Sequence, residues 1–189
     1  MESKVALARS GILAKHEDRS ILLDPSQPSV CDFTFVSHAH VDHLHRQTKK
    51  STIRTQILAS KETALIARAR GYEIASAVQE QVGFTLVDTG HILGSRGLLI
   101  GDEDIFYTGD ISIRERAFMK PARLPHARTL IIESTFGRPE YIFPALKQVT
   151  HATNKIISEM YDLGIPVILM GYTLGKAQLL TKMFGHWDP

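Results

Sequence analysis

Short apolar runs, separated by polar residues and glycines, fill the first two thirds of the chain and predict a series of β-strands. Two of these runs, residues 97–100 and 104–108, flank Gly101-Asp102-Glu103 and predict a hairpin. The other runs that we expect to form strands are residues 5–7, 11–14, 21–23, 33–36, 82–87 and 130–132, together with part of residues 52–59. Of these, we expect the strand over residues 130–132 to be buried.

A helical spacing of apolar residues replaces this pattern in three later segments. Ser60 is the expected N-cap of the first helix and Gly71 its end, whereas Gly164 ends a second helix over residues 144–163. A third helix is expected over residues 174–184, and the apolar run 166–170 before it predicts a buried strand. This order of elements favours an α/β fold in which helices cover a sheet.

The composition limits the function only slightly. The chain has 189 residues, of which 43% are hydrophobic and 22% charged, as is typical of one globular domain. A net charge of +2 is too small to indicate nucleic-acid binding, so such a partner would need a local basic patch. The best candidates for it are Arg46, Lys49 and Lys50, followed by Arg114, Arg116, Lys120 and Arg123.

The single cysteine, Cys31, excludes an internal disulfide and a cysteine-rich zinc site. The sequence contains no apolar stretch of the roughly 20 residues that a membrane span requires. Charged residues interrupt the first 15 positions, which therefore lack the apolar core of a signal peptide. We expect a cytoplasmic protein.

Four candidate metal ligands follow the predicted strand 33–36 within six residues, in the order His38-Ala39-His40-Val41-Asp42-His43. Imidazoles and a carboxylate are unfavourable near a core unless they are paired, and a divalent metal is their commonest partner. In an extended segment, one side would carry His38, His40 and Asp42, and the other side His43. Such a segment could contact two adjacent metal ions, and a solvated histidine-rich loop is the alternative.

Three further histidine or aspartate residues stand where a predicted strand ends. Asp24 ends the run 21–23, His91 lies in a glycine-flanked turn after the run 82–87, and Asp110 follows the run 104–108. Each is a weak signal alone, because loop histidines and Gly-Asp turns are common. Together with residues 38–43 they indicate one cluster of ligands at the ends of several strands.

The stretches that contain these residues resemble motifs of the metallo-β-lactamase fold, and more narrowly of its nuclease branch with an inserted β-CASP domain. That branch includes mRNA 3′-end processing endonucleases, RNase J, ligase-associated exonucleases and crosslink-repair DNA nucleases. The sequence of residues 132–137, Ile-Glu-Ser-Thr-Phe-Gly, resembles the first β-CASP motif, which small-molecule hydrolases of the fold lack. The other matching stretches are residues 22–24, 37–43, 90–95 and 107–110. The resemblance implies a metallo-β-lactamase-type sandwich of sheets flanked by helices.

The resemblance also implies roles for individual residues. Two zinc ions would activate water for attack on a phosphodiester bond, with Asp42, Asp110 and Glu133 as catalytic carboxylates. Glu133 would help to protonate the leaving group, or it would only bond the turn that follows it. Asp24 would orient a ligand from behind, and a turn carboxylate is its alternative. The implied ligands are His38, His40 and His91 for one ion, Asp42 and His43 for the other, and Asp110 as a bridge.

Members of this branch continue past the matched stretches and contain a late histidine that completes the second metal site. The present sequence ends at Pro189, and His186 lacks the surroundings of that histidine. We therefore expect residues 1–189 to be the N-terminal part of a metallo-β-lactamase-like domain, with the β-CASP insertion beginning near the C-terminal end. A homodimer partner or a C-terminal partner segment would then supply the missing ligand.

Three classes of function follow from these features. The first is zinc-dependent hydrolysis of single-stranded nucleic acid, with RNA favoured over DNA because the Glu-Ser-Thr-Phe-Gly and Ser-His-Ala-His stretches resemble those of mRNA 3′-end processing factors. The second is a catalytically incomplete metal-binding fragment, and the missing late histidine supports it. The third is a small-molecule metallo-hydrolase, which residues 132–137 disfavour.

Overall fold

The structure is a computed structural model that describes residues 4–27, 29–44, 55–72, 74 and 77–187. His45, Arg46, Lys49 and Lys50 lie outside the described residues. The chain divides into two compact units, the first formed by residues up to 114 with 121–133 and the second by residues 115–120 with those from 134 onward.

A six-stranded mixed sheet forms the larger part of the first unit. Its strands pair in the order of the sequence, antiparallel from β1 to β3 and parallel from β3 to β6. The strands are β1 (Lys4–Ala8), β2 (Gly11–His16), β3 (Arg19–Leu23), β4 (Phe33–Phe35), β5 (Gln56–Leu58) and β6 (Ala77–Val78).

A second mixed sheet of four strands has the order β10-β9-β8-β7. The expected hairpin is present, because β8 and β9 pair antiparallel around residues 101–104, whereas β9 and β10 pair in parallel. The strands are β7 (Phe84–Asp88), β8 (Arg96–Ile100), β9 (Ile105–Tyr107) and β10 (Thr129–Ile131).

The hydrophobic core lies between these two sheets. Phe35 and Leu58 of the larger sheet and Leu98, Ile100 and Ile105 of the smaller sheet are at most 1% exposed and belong to one cluster. Burial of such apolar side chains removes about 25 cal/mol per Å² of unfavourable hydration and fixes the sheets face to face. The packed sheets therefore give a rigid base to the loops that follow their strands.

All three expected helices occur, as α1 (Lys61–Ala69), α2 (Leu146–Asp162) and α3 (Lys176–Phe184). Ser60 caps α1 as predicted, because its Oγ accepts a hydrogen bond from the Thr63 amide at 3.0 Å. Gly71 follows the helix with φ +82°, a conformation that glycine adopts without strain. Among the helices of the described ranges, none combines the length and hydropathy needed to cross a membrane.

Two expectations about burial are wrong. Residues 166–170 form no strand and are exposed, because a strand needs a neighbour to bond and the described part of the second unit contains no other strand to pair with them. Leu130 and Ile132 were expected to be buried, but both are about half exposed, because β10 is an edge strand of the smaller sheet. The α/β class itself is confirmed.

Candidate metal centre

Four of the predicted ligands meet at the ends of strands from both sheets. His38 and His40 follow β4, His91 follows β7 and Asp110 follows β9, and one ligand atom from each lies within 4.8 Å of the others. His40 Nδ1 is 2.9 Å from His38 Nε2 and 3.2 Å from His91 Nε2. Asp110 Oδ2 is 3.3 Å from His91 Nε2, so the donor atoms converge on one point.

Close packing between Ser37 and Gly109 brings the two sheets together at this point. Gly109 has φ +54°, and a Cβ atom there would lie only 2.6 Å from Ser37 Cβ. The Ser37 carbonyl also accepts a hydrogen bond from the Arg96 amide of the smaller sheet at 2.9 Å. A glycine is therefore required beside Asp110 if that carboxylate is to reach the histidines.

The loop that carries His91 is fixed from inside and from outside. Inside the loop, Ser95 Oγ accepts hydrogen bonds from the amides of His91 and Ile92 at 3.1 and 3.2 Å. From outside, the hydroxyls of Ser60 and Thr63 donate to the Gly94 carbonyl at 2.6 and 3.0 Å. Ser60 was recognised in the sequence only as a helix cap, and no local signal linked it to this loop.

Residues Val41–His43 form a single turn of 3₁₀ helix rather than an extended segment. The expectation that His43 points away from His38 is therefore wrong. The His43 ring lies 4.1 Å from the His38 ring, and its Nε2 is 3.4 Å from Asp110 Oδ1. Asp42 is at the edge of the site, with a side chain 78% exposed and an oxygen 3.7 Å from His43 Nε2.

Asp24 lies behind His43 and is almost fully buried, with 5% of its side chain exposed. Its Oδ2 accepts hydrogen bonds from His43 Nδ1 at 2.8 Å and from the Tyr107 hydroxyl at 2.9 Å. The Ser37 amide donates to Oδ1 at 2.7 Å, and the Ser37 hydroxyl donates to Oδ2. Tyr107 begins one of the stretches that match the family, residues 107–110, but nothing in the sequence indicated a role for it.

Glu133 contacts the backbone directly after Asp110. Its Oε1 accepts a hydrogen bond from the Ile111 amide at 2.9 Å. This contact connects the first residue of the Glu-Ser-Thr-Phe-Gly stretch to the segment that carries Asp110. Glu133 is thereby positioned beside the cluster.

Burial and neighbouring charges set the protonation of the cluster. Burial, together with the charge of His43, lowers the pKa of His38 to about 2, so its imidazole is neutral. Burial opposes charge on His43 too, but hydrogen bonds to Asp110 and Asp24 outweigh it and raise the pKa of His43 to about 10. Burial opposes the charge of Asp110, but the hydrogen bond from His43 and the charges of the neighbouring histidines together outweigh it and lower the pKa of Asp110 to about 2.

These residues fit a divalent metal ion. Metal binding needs neutral imidazoles and an ionised carboxylate, and His38 and Asp110 are in those states at neutral pH. His38 is 0% exposed among other nitrogen and oxygen donors, an arrangement that is unfavourable unless something binds them. The residues that would hold the ion are His38, His40, His91 and Asp110.

The metal-free protein should be most stable near pH 6.5, the ordinary pKa of histidine. Below pH 6.5, His38 is protonated in the unfolded chain but not in the folded chain, so stability falls as the pH is lowered. Between pH 6.5 and about pH 10, the folded chain keeps a proton on His43 that the unfolded chain has lost, so stability falls as the pH rises. Urea unfolding in the presence of EDTA, between about pH 4 and pH 9, measures both limbs.

His43→Gln should flatten the alkaline limb of this profile, and His126→Gln, at a side chain 79% exposed, should leave it unchanged. Stability that rises steadily from pH 6.5 to pH 9 would contradict the assignment of a proton to His43.

Comparisons with known proteins agree with this geometry. No protein-family model matches the chain. It is 38% identical over 161 residues to a probable DNA ligase of Opitutus terrae, covering 78% of the chain and 15% of the ligase. It is 29% identical over 184 residues to an RNase J-like protein of Methanocaldococcus jannaschii, covering 82% of the chain and 44% of that protein. A solved structure of a protein of unknown function from Enterococcus faecalis aligns with TM-score 0.54 and 16% identity, covering 82% of the chain and 56% of that structure.

The two mixed sheets and the His/Asp cluster at their strand ends define the metallo-β-lactamase fold. Within that fold, the chain is a distant homologue of the β-CASP ribonucleases. It spans less than half of the RNase J-like relative.

Proposed function

We propose that the chain hydrolyses phosphodiester bonds in single-stranded nucleic acid, with RNA favoured over DNA, and that zinc is its metal. The observation that carries this proposal is the convergence of three histidines and Asp110 within 4.8 Å. Its homology to proteins named as ribonucleases supports RNA as the substrate class. Zinc is favoured because histidine nitrogens and carboxylate oxygens are ligands that it commonly takes.

The residues of the chain hold and orient the reacting groups. A divalent ion bound by the cluster supplies positive charge, which acidifies water and stabilises negative charge on phosphoryl oxygens. Asp110 faces His38 and His91 on one side and His43 on the other, so it fixes the position of His43 relative to the other two histidines. Asp42, exposed beside His43, is the proposed further ligand for a second ion.

Glu133 is the proposed proton carrier for the leaving group. Its Oε1 is engaged by the Ile111 amide, which orients the carboxylate relative to the Asp110 segment. Such an orientation lets the other oxygen give or take a proton at a fixed place. Glu133→Gln keeps the hydrogen bond but not the titratable group, and therefore separates these two roles.

Basic side chains on the segment after Asp110 are the proposed phosphate contacts. The Ser112 amide donates to the Thr89 carbonyl at 2.9 Å, and the Ala122 amide donates to the Ser112 carbonyl at 2.8 Å. These bonds bring two exposed residues, Arg114 and Arg123, to the same short stretch of backbone. Guanidinium groups there would bind the substrate backbone without regard to its base sequence.

The test is cleavage of end-labelled single-stranded RNA and DNA of matched sequence by protein treated with EDTA and then resupplied with zinc or manganese. We expect cleavage that needs metal, is faster on RNA, and falls by about 10²–10³-fold in His91→Ala. His126→Ala, at an exposed site beside Glu103, should cleave like the wild type.

The other outcomes identify the alternatives. Stoichiometric metal binding without cleavage of either polynucleotide would indicate a catalytically incomplete metal-binding module. The high exposure of Asp42, which leaves the second set of ligands open, is the observation that favours that alternative. Turnover of a thioester but of no polynucleotide would indicate a small-molecule hydrolase.

A further inference from the structure

Tyr107 makes a buried contact that the proposed function does not use. We propose that Tyr107 is a positioning residue whose hydroxyl locks the Asp24 carboxylate, so that Asp24 in turn holds the His43 ring with Nε2 directed at Asp110. The inference rests on the proposed metal site but not on the identity of the substrate. It adds a residue that contacts neither metal nor substrate to the machinery of the site.

The geometry around Asp24 carries this inference. Three donors surround its Oδ2, namely the Tyr107 hydroxyl at 2.9 Å, His43 Nδ1 at 2.8 Å and the Ser37 hydroxyl. The Ser37 amide donates to Oδ1 at 2.7 Å. A carboxylate with both oxygens engaged cannot rotate about its Cβ–Cγ bond, so the direction of the bond to His43 is fixed.

Tyr107 differs from the other donors in its origin. Ser37 and Asp24 follow β4 and β3 of the larger sheet, and the Ser37 hydroxyl also lies 2.9 Å from His38 Nδ1. Tyr107 ends β9 in the smaller sheet and lies edge-on to Phe35, with ring centroids 6.1 Å apart. Its bond to Asp24 is therefore made from the sheet that also carries Asp110.

The phenol can act only as a donor here. Burial, together with the charge of Asp24, raises the pKa of Tyr107 far above its ordinary value, so the hydroxyl keeps its proton. The Tyr107 hydroxyl therefore donates its hydrogen bond to Asp24 at neutral pH. At neutral pH, the Tyr107–Asp24 hydrogen bond is therefore a constant part of the site rather than a switch.

Loss of the hydroxyl should weaken metal binding through His43. His43 Nε2 is 3.4 Å from Asp110 Oδ1, so a freely turning ring would no longer hold the Asp110 carboxylate in place. Loss of residues that support metal ligands typically costs 10–100-fold in affinity. The path from Tyr107 to the cluster runs through Asp24 and His43, so an effect of Tyr107 on zinc should depend on His43.

The experiment is a double-mutant cycle on zinc affinity, measured by calorimetric titration of chelator-stripped protein with zinc chloride. Tyr107→Phe keeps the ring in the core and removes only the hydroxyl. We expect it to weaken zinc binding about 10-fold in the wild-type background and not at all in a His43→Ala background. Tyr161→Phe, at a ring 64% exposed on α2, is the matched control and should bind zinc like the wild type.

Each outcome of the double-mutant cycle either supports the role of Tyr107 or overturns it. Equal losses in the two backgrounds, or no loss in either, would overturn the proposal, and so would a Tyr107→Phe chain that is unfolded in EDTA, because Tyr107 would then be structural. The zinc titration does not depend on nuclease activity. Coupling between Tyr107 and His43 in a protein that cleaves no nucleic acid would reject the proposed function and keep this inference.

Discussion

Asp110→Asn is expected to remove the bound metal and to lower cleavage by about 10²–10³-fold. Asp110 is the carboxylate of the four-residue cluster, and its oxygens face His38, His91 and His43 at 3.6, 3.3 and 3.4 Å. An asparagine of the same size has no negative charge, and its amide nitrogen cannot accept the His43 proton or bind a cation. Metal content per chain, by elemental mass spectrometry, and single-turnover cleavage measure the two losses.

Asp102→Asn is the matched control for this change, because Asp102 is exposed in the turn between β8 and β9. It should keep the metal content and the rate of the wild type. If Asp110→Asn bound as much metal as the wild type and cleaved at the same rate, the cluster described here would not be the catalytic site.

Asp24→Ala is expected to destabilise the metal-free protein by about 3–5 kcal/mol, the usual cost of removing one partner of a buried charged pair. The change leaves the His43 ring, the Tyr107 hydroxyl and both Ser37 donors without their acceptor. Asp24 also has φ 37°, a conformation that alanine tolerates less well than aspartate or asparagine. Urea unfolding in EDTA at neutral pH measures the loss.

Two further variants separate the causes of this loss. Asp24→Asn tolerates the backbone conformation and keeps one acceptor, so its cost should lie between those of the wild type and Asp24→Ala. Asp32→Ala also removes a carboxylate acceptor, which binds the Ser20 amide and hydroxyl at 2.7 Å. Because Asp32 is exposed, its substitution should cost much less stability than Asp24→Ala. A cost for Asp24→Ala no greater than that for Asp32→Ala would contradict the proposed burial of this network.

The ligands were recognisable in the sequence because each stands beside a local signal, namely the end of an apolar run. His91 and Asp110 could be singled out as candidates in this way because they follow closely after β7 and β9, whereas their roles as ligands came from the resemblance to metallo-β-lactamase motifs. The direction of His43 could not be inferred correctly. A period of two assumes an extended chain, whereas the His43 amide donates to the His40 carbonyl at 3.1 Å and closes a turn.

The supporting residues could not be found from sequence because their partners are distant along the chain. Tyr107 bonds Asp24 across 83 positions, and Ser60 bonds Gly94 across 34. No periodicity reports such pairs, which depend on how the two sheets face each other. The strand expected at residues 166–170 failed for a related reason, because an apolar run indicates burial but not whether a neighbouring strand exists to bond it.

The placement of the ligands on both sheets has a kinetic consequence. His38 and Asp110 come from opposite layers of the sandwich and from distant parts of the chain, so the site cannot exist before the layers have docked. An ion bound by this cluster would therefore be taken up late in folding and would have to leave early in unfolding. Metal should accordingly prolong the lifetime of the folded chain more than it speeds its formation.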